Sequence, residues 1–120
     1  MNTTIVIGAS LNPTRYSHKV ILKLHELNEH IIAIGNKSGF INQTLIFTEF
    51  LDDISKVKTV TLYINPKLQE QYYDKIIALK PKRIIFNPGT ENDVFEKLAK
   101  DNGIEVMHAC SLVMLNIGVY

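Results

Sequence analysis

The chain opens on a stretch that permits few folds: IVIGASLNPTRYSHKVILKL, residues 5–24. Ile5, Val6 and Ile7 make an unbroken apolar run, the pattern of a strand buried on both faces. Gly8 follows at once, then small Ala9 and Ser10, then a polar loop. Helical spacing begins after that loop, with Val20, Ile21, Leu24 and Leu27 on one side. A strand that ends in small residues and feeds a helix points backbone N–H groups and a helix N-terminus at one spot. Such a spot suits an anion, most commonly a phosphate.

The dinucleotide fingerprint G-x-G-x-x-G is absent, because Gly8 is the only glycine before Gly35. The loop offers other donors: the hydroxyls of Ser10, Thr14 and Ser17, the amide of Asn12 and the guanidinium of Arg15. The planar fork of arginine matches phosphate oxygens. Asn12-Pro13 predicts a bend before the helix, and Ser17 is the predicted N-cap. Arg15 and Lys19 on their own read as solvated charges; the strand-to-helix context favours a phosphate role for Arg15.

Strand and helix patterns alternate from end to end. Strands are predicted over 5–7, 31–34, 59–64, 83–86 and 104–107. A brief extended piece is read at 44–47, and a single helical turn at 49–54. Asn65 as N-cap and Pro66 at the first helical position start a second helix. Leu68, Tyr72, Ile76 and Leu79 form its inner face, and Lys80-Pro81 ends it. A third helix is predicted with Thr90 as N-cap and Glu91 and Asp93 in the first turn. Val94, Phe95, Leu98 and Ala99 are its buried face, and Asn102-Gly103 its stop. One more helical turn is read at 111–115. This order predicts an α/β fold: a Rossmann-like, doubly wound, five-stranded parallel sheet, with helices on both faces and the first strand central.

A length of 120 residues fits a single domain. Apolar residues make up 46% and charged residues 21%, an ordinary globular balance. A net charge of +1 gives no global field for nucleic acid. No run of ~18 apolar residues suggests a membrane span, and no secretory leader pattern opens the chain. The expectation is a soluble, cytoplasmic protein. The single cysteine, Cys110, excludes an intramolecular disulfide and a multi-cysteine metal site.

In parallel sheets ligands bind beyond the carboxyl ends of the strands. The candidate site therefore gathers Gly8, Ala9, Ser10, Asn12, Arg15 and Ser17 from the first loop, and Gly35, Asn36 and Lys37 from the second. Tyr63 and Asn65, then Asn87, Pro88 and Gly89, then Cys110 complete it. A dinucleotide site that holds an unmodified ribose commonly has Asp or Glu in the second loop. Lys37 in that loop fits instead a ribose that carries a phosphate, as in NADP or coenzyme A, and fits equally an ordinary solvated loop lysine. Tyr63 fits either against an adenine or pantetheine arm or in the core. The histidines at 18, 25, 30 and 108 lack metal-ligand spacing. The loops hold no paired carboxylates, and no Ser-His-Asp set assembles. No catalytic or metal-binding residue is assigned. Cys110 reads as core filling, or as a reactive thiol beside a helix start.

Three motifs carry a family resemblance: VIGAS-x-NP-x-R-x-S over 6–17, NPGTEN over 87–92 and CSLVML over 110–115. With them the chain resembles, over nearly its whole length, the small single-domain CoA-binding proteins. These are similar to the N-terminal domain of the succinyl-CoA synthetase α subunit. The resemblance implies a Rossmann-like fold that binds coenzyme A, with phosphate contacts from residues 10–17 and from Lys37. Related proteins often carry Asn-Pro where this chain has Gly35-Asn36. The synthetase's second domain, with its phosphohistidine, has no counterpart in the sequence, so ligase chemistry is not implied. The expected function is binding of CoA or an acyl-CoA without catalysis by the chain itself. A protein partner or a homo-oligomer stays open, with no nucleic acid and no membrane. The alternatives are an NADP or other nucleotide-binding sensor or oxidoreductase domain, and an interaction module with a degenerate pocket.

Overall fold

The computed structural model describes residues 3–51 and 53–120. Strand β1 (Thr3–Ile7) is buried along its whole length, as its apolar run requires. The chain continues through α1 (Tyr16–Glu26), β2 (His30–Ile34), β3 (Gly39–Ile41), β4 (Thr44–Phe47) and β5 (Val57–Leu62). It then forms α2 (Pro66–Gln69), a 3₁₀ turn (Glu70–Tyr72), α3 (Tyr73–Leu79), β6 (Arg83–Phe86), α4 (Asp93–Asp101), β7 (Glu105–His108) and α5 (Ser111–Asn116). The strands form one sheet in the order β3-β4-β2-β1-β5-β6-β7, so β1 is central. All pairings are parallel except β3 with β4.

Alternation along β1 divides the core between the two sides of the sheet. Ile5 and Ile7 join Val60, Leu62, Ile84 and Phe86, with Ile76 of α3 and Phe95 and Ala99 of α4. Val6 and Ala33 join Val20, Ile21 and Leu24 of α1 and Leu115 of α5. Successive crossovers run outward from β1 to β2, and then return to β5 on its other side. The carboxyl ends of β1 and β5, where the order reverses, therefore open the natural crevice.

Several sequence expectations are corrected. The sheet has seven strands rather than five, because 39–47 folds into an antiparallel hairpin at the edge. Asn42, at φ 51, makes its turn. Of the helical turn expected over 49–54, Asp52 lies outside the described residues and the remainder carries no helix. The third predicted strand is displaced: β5 ends at Leu62, because the backbone at Tyr63 turns past Gly8. The fifth spans Glu105–His108, one residue later than predicted.

The helix caps also differ. Arg15, not Ser17, occupies the N-cap of α1, and Ser17 is buried inside the first turn. The N-cap of α4 is Asn92, whose side chain accepts from the Phe95 amide, while the Thr90 hydroxyl donates to the Asn87 carbonyl at 2.7 Å. Val94 consequently faces solvent. The single helix expected after Pro66 is interrupted by the 3₁₀ turn, so that Gln69 is buried and Leu68 is exposed. Leu27, past the end of α1, is exposed as well.

Candidate functional site

A cleft of about 950 Å³ lies over the carboxyl ends of the central strands. Gly8, Ala9, Ser10, Asn12, Arg15, Ser17, Gly35, Asn36, Tyr63 and Pro88 of the predicted set line it. Close backbone approach builds its floor. A Cβ on Gly8 would lie 2.9 Å from Ile64 Cγ2, and one on Gly35 would lie 2.3 Å from the Ala9 carbonyl oxygen. The Gly8 and Ala9 amides both donate to the Ile34 carbonyl, at 2.8 and 3.0 Å, which ties the first loop to the end of β2.

The first loop consumes its acceptors internally. Ser10 Oγ accepts from the Asn12 amide at 3.1 Å. Asn12 Oδ1 accepts from the Thr14 amide at 3.0 Å and the Thr14 hydroxyl at 2.8 Å, and the Asn12 carbonyl accepts from the Arg15 amide at 3.1 Å. What remains toward the cleft is a set of donors: the Ser10 hydroxyl, the Asn12 side-chain NH₂ and the Arg15 guanidinium. The N-terminal turn of α1 adds more. It has no side-chain cap and no acidic residue. Ser17 is 2% exposed, lines the cleft, and its hydroxyl has no partner among the described residues. Among the described residues, no carboxylate, histidine or cysteine lines the cleft.

The opposite wall is apolar and aromatic, from Tyr63, Ile64, Leu68 and Tyr72, with Pro88 beside them. The Tyr63 hydroxyl turns inward and finds no hydrogen-bond partner among the described residues. Burial pushes its pKa above the ordinary phenol value. The nearby Thr61 and Ser111 hydroxyls bond to each other, at 2.9 Å. Lys37 does not line the main cleft. It borders an adjoining hollow of about 240 Å³, with Ala9, Ser10, Leu11, Asn12 and Asn36.

Four predicted residues stand outside both. Asn65 caps α2, accepting from the Leu68 amide at 3.0 Å. Asn87 is buried and pins β5 to α5. Gly89 shapes the turn at φ 91, and its amide donates to Glu91. Cys110 is the half-buried N-cap of α5. Tyr16, within the predicted 10–17 loop, and Ile64, between the predicted Tyr63 and Asn65, line the cleft as well, and Thr48, Leu68, Gln71 and Tyr72 line it from outside the predicted loops. Thr48 directly follows β4, the extended piece read at 44–47, and the parallel pairing of β4 with β2 brings it to the cleft. Leu68 and Tyr72 carry the helical spacing that predicts a core face.

The described residues thus define an α/β protein with a mostly parallel sheet and a donor-rich cleft at its carboxyl edge. The family model described as CoA binding domain matches residues 2–116, and the chain belongs to that family. A crystal structure of an uncharacterized protein is 42% identical, with a TM-score of 0.93, over 100% of this chain and 98% of that one. The cell-free ID.343 protein from Thermus thermophilus is similar in fold, at 23% identity and a TM-score of 0.85, over 99% of this chain and 90% of that one. So is a hypothetical protein from Pyrococcus horikoshii OT3, at 23% identity and a TM-score of 0.84, over 95% and 81%. No curated protein matches the chain. No described helix is long and apolar enough to cross a membrane.

Proposed function

We propose that residues 1–120 act as one CoA-binding domain, which holds coenzyme A or an acyl-CoA in this cleft without catalysis of its own. The observation that carries this reading is the donor set of the first loop. Its acceptors are occupied internally, and Arg15, the Ser10 and Ser17 hydroxyls and the uncapped α1 amides remain for phosphate oxygens. The apolar wall of Tyr63, Ile64, Leu68 and Tyr72 suits a pantetheine arm. Family membership supports the same ligand. In this reading the sheet is a doubly wound, Rossmann-like one that uses its switch point. Asn65, Asn87, Gly89 and Cys110 act by shaping the loops rather than by touching the ligand.

Intact-mass analysis of protein denatured straight from purification tests the reading. Release of CoA or a CoA thioester is expected; release of a nicotinamide cofactor would favour the NADP alternative. Arg15→Ala is expected to weaken CoA binding by about 1.5–3 kcal/mol, roughly ten- to hundredfold. Unchanged calorimetric affinity in the folded variant removes Arg15 from the site.

Lys37, beside the smaller hollow, is assigned to the ribose phosphate that distinguishes CoA from dephospho-CoA. Because it is exposed, the effect is modest: Lys37→Ala should reduce the preference for CoA over dephospho-CoA by roughly three- to fivefold. An identical preference in the two proteins sinks that assignment.

A further inference from the structure

We propose that Tyr16 and Gln71 form a subsite for the amide-bearing pantetheine arm, and so make the cleft select a CoA-type ligand over a plain nucleotide. This rests on the reading that the first loop takes the ligand's phosphates. The polar groups which that loop leaves free are donors, and they suit phosphate oxygens. A pantetheine arm asks for something else. It strings two secondary amides between methylene and methyl groups, so each N–H needs an acceptor set in apolar surroundings. With Lys37 on the ribose phosphate and Arg15 on the diphosphate, the arm is left the wall of Tyr63, Ile64, Leu68 and Tyr72, which the smaller hollow does not share.

Gln71 stands in that wall. It belongs to the 3₁₀ turn Glu70–Tyr72, is exposed, and lines the cleft together with Leu68 and Tyr72. Its Nε2 donates to the Leu68 carbonyl at 3.0 Å. A carbonyl oxygen only accepts, so this bond fixes the amide nitrogen on Leu68 and leaves Oε1 as an acceptor, with no partner among the described residues. Among those residues Gln71 is also the only carboxamide on this wall, since Asn12 and Asn36 border the smaller hollow. Tyr16 supplies apolar cover. It is the first residue of α1, lines the same cleft and is 62% exposed. The Lys19 ammonium lies over its ring, 5.4 Å from the centroid, which occupies one face and leaves the other open. Such a ring gains by burial only when a ligand lies on it. Tyr16 directly follows Arg15, so it stands beside the residue assigned to the diphosphate, where the arm and its branched methyl groups begin. The ring then covers the methyl groups, and Gln71 Oε1 accepts from an amide N–H further along.

Calorimetric titration with CoA and with adenosine 3′,5′-bisphosphate, which lacks the arm, tests the proposal. Gln71→Met keeps the side-chain length without the carboxamide, and Tyr16→Ala removes the ring. Both residues are exposed, so neither change should disturb folding. CoA is expected to bind Gln71→Met about fivefold and Tyr16→Ala about tenfold more weakly than wild type. The bisphosphate should bind all three proteins alike. Tyr16→Phe retains the ring and should retain the affinity for CoA. In the unaltered protein, the side-chain amide resonances of Gln71 should move with CoA and not with the bisphosphate. Equal losses for the two ligands, or an unchanged CoA affinity in either variant, overturn the subsite while leaving CoA binding in place. Absence of CoA binding to the unaltered protein overturns the reading of the cleft as well.

Discussion

Asn87→Ala is expected to destabilise the fold by about 3–4 kcal/mol, far more than the loss of a loop residue. Asn87 is 2% exposed, and its side chain satisfies three groups at once. Nδ2 donates to Thr61 Oγ1 at 2.7 Å and to the Leu62 carbonyl at 2.9 Å, while Oδ1 accepts from the Ser111 amide at 2.8 Å. Truncation strands the Leu62 carbonyl and the Ser111 amide without water. The Thr61 hydroxyl retains its bond to Ser111 Oγ. Each buried orphan costs about 1–3 kcal/mol, and the vacated volume adds to that. Asn65→Ala is the internal control: Asn65 is exposed and makes one capping bond, so its loss should cost about 1 kcal/mol. Equal midpoint shifts for the two variants in denaturant titrations would show that the Asn87 network contributes nothing special.

The contrast between these asparagines marks the limit of what the sequence disclosed. Asn12-Pro13, Asn65-Pro66 and Asn87-Pro88 look alike as turn formers. Asn12 folds its own loop and lines the cleft, Asn65 caps a helix, and Asn87 bridges β5 and α5. Capping was legible because its partner lies three residues away. The bonds of Asn87 reach Thr61, Leu62 and Ser111, separated from it by 24 to 26 residues, and no local pattern encodes them. Gln69 was hidden for the same reason. Its amide nitrogen donates to the Ile64 and Thr90 carbonyls at 2.8 Å each, and its oxygen accepts from Asn92 at 2.9 Å. A polar residue at a core position reads as surface until those partners are known.

The parallel strands were legible because burial on both faces writes an apolar run into β1, β2 and β6. Strand β5 already departs from that rule. Thr59 and Thr61 are buried, and their hydroxyls receive bonds from Arg83 Nε at 2.8 Å and Asn87 Nδ2 at 2.7 Å. Of the edge hairpin, β4 matches the extended piece read at 44–47, while β3 escaped because it is three residues long, includes Gly39 and leaves Phe40 exposed. At α1 the composition misled. Ser17 has the favoured cap chemistry, yet the chain leaves Arg15 at the cap and turns Ser17 toward the cleft, trading a self-satisfied helix end for free donors.

The glycines that let the strand-end loops meet set the second large expectation. Gly8→Ala should destabilise the protein by about 3 kcal/mol or more, with loss of CoA binding in whatever fraction remains folded. Two independent effects act there. Gly8 sits at φ 97, in a region where an L side chain costs roughly 1–2 kcal/mol. A Cβ would also meet Ile64 Cγ2 at 2.9 Å and the Tyr63 backbone at 3.1 Å. The Ile64 methyl can shift, but the Tyr63 backbone is held by its amide's 2.8 Å bond to the Ile7 carbonyl. Relief must therefore come from opening the β1–β5 junction, where the cleft lies. Gly103→Ala separates the two effects, because Gly103 has φ 76 and nothing within 4 Å of the added carbon. Only backbone strain remains there, and about 1 kcal/mol is expected. Gly35→Ala tests the other effect: its Cβ would approach the Ala9 carbonyl oxygen to 2.3 Å, with no positive φ involved. Thermal or denaturant unfolding of the three variants should rank Gly103→Ala well above the other two in stability. If Gly8→Ala is no worse than Gly103→Ala, close packing of Tyr63 and Ile64 against the first loop does not govern the site, and its shape must be set elsewhere.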